Sequence, residues 1–191
     1  MPAAMRVTTV LCAALMLAVL PARQGAAAGS GATSAHAFTF TAIEGGELDL
    51  ARFDGRPILL VNTASRCGYT DQYADLETLW DRYKDRGLVV LAVPSNDFRQ
   101  ELASEEAVKN FCETTFDVSF PMTGISHVRG QQAHPLYQWL GRELGRDGQP
   151  RWNFHKVLIA PDGQPVAGWP SGVRPTDGKI VNRIERLLPT G

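Results

Sequence analysis

Pro57-Ile58-Leu59-Leu60-Val61-Asn62-Thr63-Ala64-Ser65-Arg66-Cys67-Gly68-Tyr69-Thr70 decides how this chain is read. The apolar run 57–61 has the look of a buried strand, and a short polar turn carrying a cysteine follows it. From 71 to 86 apolar residues recur at Tyr73, Leu76, Leu79, Trp80 and Tyr83, one face of a helix that Gly87 stops. The order strand, cysteine, helix predicts Cys67 at or near the amino end of that helix. There, unpaired N–H groups and the helix dipole favour an anion, so a thiolate is favoured over a thiol. An ordinary thiol of pKa ~8.5 is only about 3% ionised at pH 7, so this help matters. Cys67 is read as a redox nucleophile.

The pattern extends in both directions. Residues 88–93 form a second buried strand ended by Pro94, which makes a β-α-β unit with parallel strands. Upstream, Phe38 and Phe40 alternate with polar residues. Glu44-Gly45-Gly46-Glu47 and then Leu48 and Leu50 follow, which together predict a β-hairpin. Downstream, Ser104 caps a helix whose apolar face carries Val108, Phe111, Cys112 and Thr115. Residues 134–140 suggest a further short helix. A strand over 156–160, the turn Pro161-Asp162-Gly163-Gln164 and a partner strand over 166–169 suggest a second hairpin. Ile180, Val181, Ile184, Leu187 and Leu188 give a last helix its buried stripe. The order ββ-βαβα-ββα describes an α/β, thioredoxin-like fold, a central mixed β-sheet flanked by helices. No internal repeat or second domain is visible.

With 19 Lys and Arg against 20 Asp and Glu, the net charge of −1 offers no electrostatic case for nucleic acid. Arg6, the apolar run 7–20, Pro21 and the small residues Gly25-Ala26-Ala27-Ala28 read as a signal peptide cut after Ala28. The run is too short for an ordinary spanning helix, and Leu11 before Cys12 is too bulky for a lipoprotein site. The expectation is an exported, periplasmic protein without stable membrane insertion. Residues 1–28 are the signal peptide, 29–37 a flexible leader and 38–191 one domain. The four histidines are scattered and there is no C-x-x-C, so no metal or other cofactor is expected. The mature chain keeps Cys67 and Cys112, which in an exported protein could equally form a structural disulfide.

Three separated motifs carry a resemblance. They are Asn62-Thr63-Ala64-Ser65-Arg66-Cys67-Gly68-Tyr69-Thr70, Val93-Pro94-Ser95-Asn96-Asp97-Phe98, and Trp152-Asn153-Phe154-His155-Lys156. In this order and spacing the chain resembles the cysteine type of the glutathione peroxidase family over nearly all of 38–188. The resemblance implies that Cys67 is the peroxidatic residue in the place of selenocysteine, with Trp152 and Asn153 as its indole and amide partners. The chemistry agrees. A thiolate attacks one peroxide oxygen while the other leaves, and Trp supplies an N–H donor and Asn two, each aimed at developing charge. Asp97 stands where the family commonly has Gln. A carboxylate there opposes a nearby thiolate, so it either turns away and serves through its backbone N–H, or is held protonated as a donor, or is a plain turn residue.

Cys112 has two readings. Cysteine on the apolar face of a helix is ordinarily a small buried hydrophobe. The segment around it also resembles the one in which thioredoxin-dependent members carry a resolving cysteine, and that role is preferred. The two sulfurs are then expected too far apart for direct bonding in the reduced fold, so the helix around Cys112 unwinds after Cys67 is oxidised. The resemblance thus implies a peroxidase acting on hydrogen peroxide and organic hydroperoxides, reduced by a thioredoxin-like protein or by glutathione. The stretch between Leu140 and Trp152 is short, and the resemblance implies that it lacks the longer loop that tetrameric relatives use in assembly, so a monomer is expected. Two alternatives fit less well. A thioredoxin-fold thiol–disulfide oxidoreductase needs a second cysteine where Thr70 stands, and an exported metal chaperone needs closely spaced thiols.

Overall fold

In a computed structural model the chain is described over residues 33–189, together with Met1. The expected signal peptide lies outside the described residues. Among them no helix is long and apolar enough to cross a membrane. The predicted leader ends earlier than expected, because Ala35–Ala37 form a 3₁₀ turn that belongs to the fold. Ser34 accepts the His36 N–H, Ala35 is fully buried, and the Ala35 N–H donates to the Gly163 carbonyl at 3.0 Å. The turn between the last two strands thus holds this segment down.

Phe40 pairs with Leu48 in the predicted hairpin of β1 (Thr39–Thr41) and β2 (Glu47–Asp49). The main sheet has the order β4-β3-β5-β6, with β3 (Ile58–Thr63), β4 (Val89–Pro94), β5 (Lys156–Ile159) and β6 (Pro165–Trp169). β3 runs parallel to β4 and antiparallel to β5, so the sheet is mixed as predicted, with β3 and β5 at its centre. Strands buried on both faces read as continuous apolar runs, and every residue of β3 and β4 is buried.

The period of two then sorts the interior into two cores. Leu59, Val61, Val90, Ala92 and Leu158 face α1 (Gln72–Tyr83), α2 (Glu105–Phe116) and α4 (Gly178–Leu187). Ile58, Leu60, Val89, Leu91 and Val157 face the hairpin and α3 (Pro135–Leu144). α1 buries Tyr73, Leu76, Leu79 and Tyr83, as its periodicity predicts, and a 3₁₀ turn then ends at Gly87 with φ 106°. Ser104 caps α2 by accepting the Ala107 N–H, while Asp117, left-handed at φ 52°, closes it. α3 starts at Pro135, whose missing N–H costs nothing in a first turn, with His134 accepting the Leu136 N–H.

Lys156, at the start of β5, is fully buried. Its ammonium nitrogen donates to the carbonyls of Ser171 (3.1 Å) and Val173 (2.7 Å), and Gln72 donates to the same Ser171 carbonyl. Together they pin the segment after β6 over the start of α1. Burial lowers the lysine to about 7, against the pull of Asp75. An unfolded lysine titrates near ~10.4, so between these values the unfolded chain binds more protons and stability rises with pH. In denaturant titrations, wild type is expected to gain on Lys156→Met steadily from pH 7 to pH ~10. Below pH 7 the difference between the two stays flat.

Candidate active site

Strand β3 ends at Thr63 and delivers a loop that the polypeptide holds from three sides. The Ser65 N–H donates to Glu101 Oε1 (2.9 Å) and the Arg66 N–H to the Gln100 carbonyl (2.8 Å). The Cys67 carbonyl accepts the Thr70 N–H at 3.2 Å. Cys67 itself is 4% exposed. The helix begins only at Gln72, and residues 67–71 form successive turns ahead of it. This corrects the expected placement, because a dipole effect fades beyond the first turn. Other side chains singled out by the motifs lie around the loop.

Those side chains come from two other segments. Asn153 is fully buried, and its Nδ2 donates to Gln100 Oε1 at 2.9 Å, leaving one Nδ2 hydrogen and the Gln100 Nε2 group uncommitted to each other. Trp152 is 43% exposed and lies on Phe98, ring centroids 5.3 Å apart. The structure thus joins the first and third motifs, with Trp152 and Asn153 beside the segment that holds the Cys67 loop. A cleft of about 690 Å³ opens at Trp152, lined also by Tyr69, Arg146, Arg151, His155 and Ser171. His155 is committed elsewhere, its Nε2 2.8 Å from the Asp147 carbonyl, and burial lowers its pKa.

Asp97 does not join them. Its Oδ1 lies 2.7 Å from His127 Nδ1, and its Oδ2 accepts the N–H groups of Val128 (2.7 Å) and Arg129 (3.1 Å). Burial pushes this carboxyl up, but the His127 ring and the two backbone donors outweigh it and hold the pKa below its usual value. It is therefore ionised, not a protonated donor. Its backbone N–H donates to Ser95 Oγ at 3.3 Å, so that route into the site is also taken.

The amide near Asn153 is Gln100, which the sequence reading passed over. Asn96 folds the intervening segment back, since its carbonyl accepts the Arg99 N–H (2.9 Å) and its Oδ1 accepts the Glu101 N–H (3.2 Å). Arg99 turns through a left-handed φ of 59°. An Asn-Asp pair of the kind that starts tight turns was the available signal that the useful amide lies beyond the turn.

Cys112 sits on the inner face of α2 with no exposure, and no disulfide joins it to Cys67. Burial pushes its thiol up to about 11, with the Tyr73 hydroxyl beside it pulling the other way. Tyr73 is raised well above its ordinary value, chiefly by burial and then by Cys112. Glu101 is raised as well, by burial, although Ser65 and the Leu102 N–H support its charge. Both cysteines belong to the same core layer, below the sheet face that carries α1.

Comparisons with known proteins speak to the chain as a whole. A family model described as glutathione peroxidase matches residues 35–141. The chain is 38% identical over 162 residues to a hydroperoxy fatty acid reductase of Synechocystis sp., covering 80% of this chain and 95% of that one. It is 34% identical over 169 residues to a thioredoxin/glutathione peroxidase of Escherichia coli, covering 76% and 92%. Among solved structures, the crystal structure of Trgpx in its apo form superposes with a TM-score of 0.65 at 35% identity, covering 82% of this chain and 96% of that one.

Asp97 gives a test of its assignment. Its folded pKa lies below the ordinary ~3.9, so its contribution to stability is complete above that value and is lost as pH falls through the lowered one. Asp97→Asn is expected to be less stable than wild type above pH ~4, with the gap closing on acidification. Oxidation of its Cys67 by peroxide should persist. A hundredfold slower oxidation, read by mass spectrometry, would return Asp97 to the site.

Proposed function

The chain belongs to the glutathione peroxidase family, and on that premise we propose a two-cysteine thiol peroxidase cycle centred on Cys67. It is a peroxidase of hydroperoxides, and the observation that carries the residue assignment is the Asn153–Gln100 amide pair beside the Cys67 loop. The Cys67 thiolate attacks the terminal oxygen of ROOH, forming an S–O bond as the O–O bond breaks. The departing RO⁻ takes a proton, and Cys67 is left as sulfenic acid, the reversible first stage of thiol oxidation. Trp152, Asn153 and Gln100 supply the donors that meet charge on the departing oxygen. Each such preorganised donor is worth ~10²-fold in rate in well-studied enzymes.

Cys112 resolves the sulfenic acid. Its thiol sulfur displaces water, giving a Cys67–Cys112 disulfide, and two electrons from a dithiol restore both thiols. A thiol held at about 11 is almost wholly protonated at neutral pH, so α2 must open locally before Cys112 reacts. Opening returns it to the ordinary ~8.5 of a solvated cysteine. The donor is a thioredoxin-like protein; the Escherichia coli relative, named for both thioredoxin and glutathione, supports either kind of thiol. Organic hydroperoxides fit the open cleft and the exposed faces of Trp152 and Tyr69, and the Synechocystis relative is named for fatty acid hydroperoxides. Export through residues 1–28 and action as a monomer complete the proposal.

One equivalent of hydrogen peroxide added to the reduced protein, followed by a non-reducing peptide map, tests the cycle. The expected product is a Cys67–Cys112 linkage, absent in Cys67→Ser. Oxidation that stops at Cys67 with Cys112 untouched would make Cys112 a core residue and glutathione the donor. Gln100→Ala is expected to slow the first oxidation by roughly 10–100-fold, and an unchanged rate would remove Gln100 from the site.

A further inference from the structure

β3 and β5 pair in register as far as Val61 and Lys156. Beyond that point the partner chain can no longer be a strand, because Phe154 is left-handed at φ 61°, a conformation bulky residues rarely adopt. The contact nevertheless continues, and Asn62 alone continues it. Its backbone N–H donates to the His155 carbonyl (3.3 Å) and its carbonyl accepts the Phe154 N–H (2.6 Å). Its side chain repeats the exchange, Oδ1 accepting the His155 N–H (3.1 Å) and Nδ2 donating to the Trp152 carbonyl (3.2 Å). Asn62 is 1% exposed, and among the described residues no other residue bonds its side chain.

We infer that Asn62 is a positioning residue for the peroxide-reducing site, setting Trp152 and Asn153 against the Cys67 loop through its side-chain amide. The inference rests on the peroxidase reading. The amide acts as a surrogate peptide group, offering one donor and one acceptor at the spacing a turned backbone requires. Few replacements can do this. Asp lacks the donor, Gln is one methylene too long, and Thr or Ser has a single hydroxyl for two partners. The same residue stands one position before the end of β3, from which the loop that carries Cys67 departs. One strand end therefore fixes both the nucleophile and the donors, with Asn153 then passing the alignment to Gln100.

The test compares two reactions of Cys67 in wild type, Asn62→Ala, Trp152→Phe and the double variant. Oxidation by hydrogen peroxide, trapped as the sulfenic acid and read by mass, needs donors around the O–O bond. Alkylation by iodoacetamide needs only an accessible, nucleophilic thiol. Asn62→Ala is expected to oxidise at least tenfold more slowly while alkylating within twofold of wild type. The double variant should lose less than the product of the two single losses, as coupled positions do. Equal losses in both reactions, an unchanged oxidation rate, or fully multiplicative losses would each overturn the assignment. If Asn62→Ala does not fold, Asn62→Thr, which suits a strand, carries the same comparison. A wild type inert to peroxide removes the peroxidase reading and this inference together. A reactive wild type with an unaffected Asn62→Ala removes only the inference.

Discussion

Everything at the site depends on the register of β3 against its two neighbours. Parallel pairing with β4 brings Asn62 opposite Val93 and Thr63 opposite Pro94, so the Cys67 loop and the 95–101 segment leave the sheet side by side. Antiparallel pairing with β5 brings Val61 opposite Lys156, which sets the 152–155 turn at the same end. A slip of one residue in either pairing would exchange the faces of every side chain and carry the donor segments away from the sulfur. The fully buried β3 and β4 resist such a slip because both of their faces are packed.

That precision is bought with buried polar groups. Asn62, Asn153, Glu101, His155 and Lys156 are all nearly or fully withdrawn from water. Each loses hydration on burial and recovers it only where a partner is placed within reach. The partners are mostly main-chain atoms: carbonyls for Lys156 and His155, N–H groups for Glu101 and for the Asn62 oxygen. Main-chain partners cannot rotate away, so the network is stiff. Asn153 Oδ1 and Glu101 Oε2 are the exceptions, buried with no protein partner among the described residues.

The sequence was most informative where one rule governed. The continuous apolar runs at 58–61 and 88–93, period 3.6 from Tyr73 to Tyr83, and the Ser104 cap each appear in the structure with limits shifted by a residue or two. Cys67, Trp152 and Asn153 were singled out through the motifs of the resemblance, and the fold brings their segments to one end of the sheet. The choice between Asp97 and Gln100 was not legible, because it turns on the left-handed Arg99 and on His127 and Val128, some thirty residues away in the chain. The helix starts at Gln72, within a residue of the expected 71, but nothing in Gly68-Tyr69-Thr70 marks the run of turns that separates Cys67 from it. Residues 35–37 looked like leader because their anchor is the distant Gly163.

The division of the interior by the sheet has a mechanical meaning. α2 fully buries only Val108 and Cys112, whereas α1 buries five side chains, so α2 is among the more weakly held helices of its layer. Weakly anchored elements open as separate cooperative units, well below the free energy of global unfolding. The core cluster on the far side of the sheet, built on α3 and the hairpin strands, contains no side chain of α2, and the ion pair from Lys109 to Glu44 in the hairpin turn (3.4 Å) lies near the surface. In the proposed cycle, exposing Cys112 is therefore a local melting event with a separate core behind it, and the molecule can be loose in one half while remaining solid in the other.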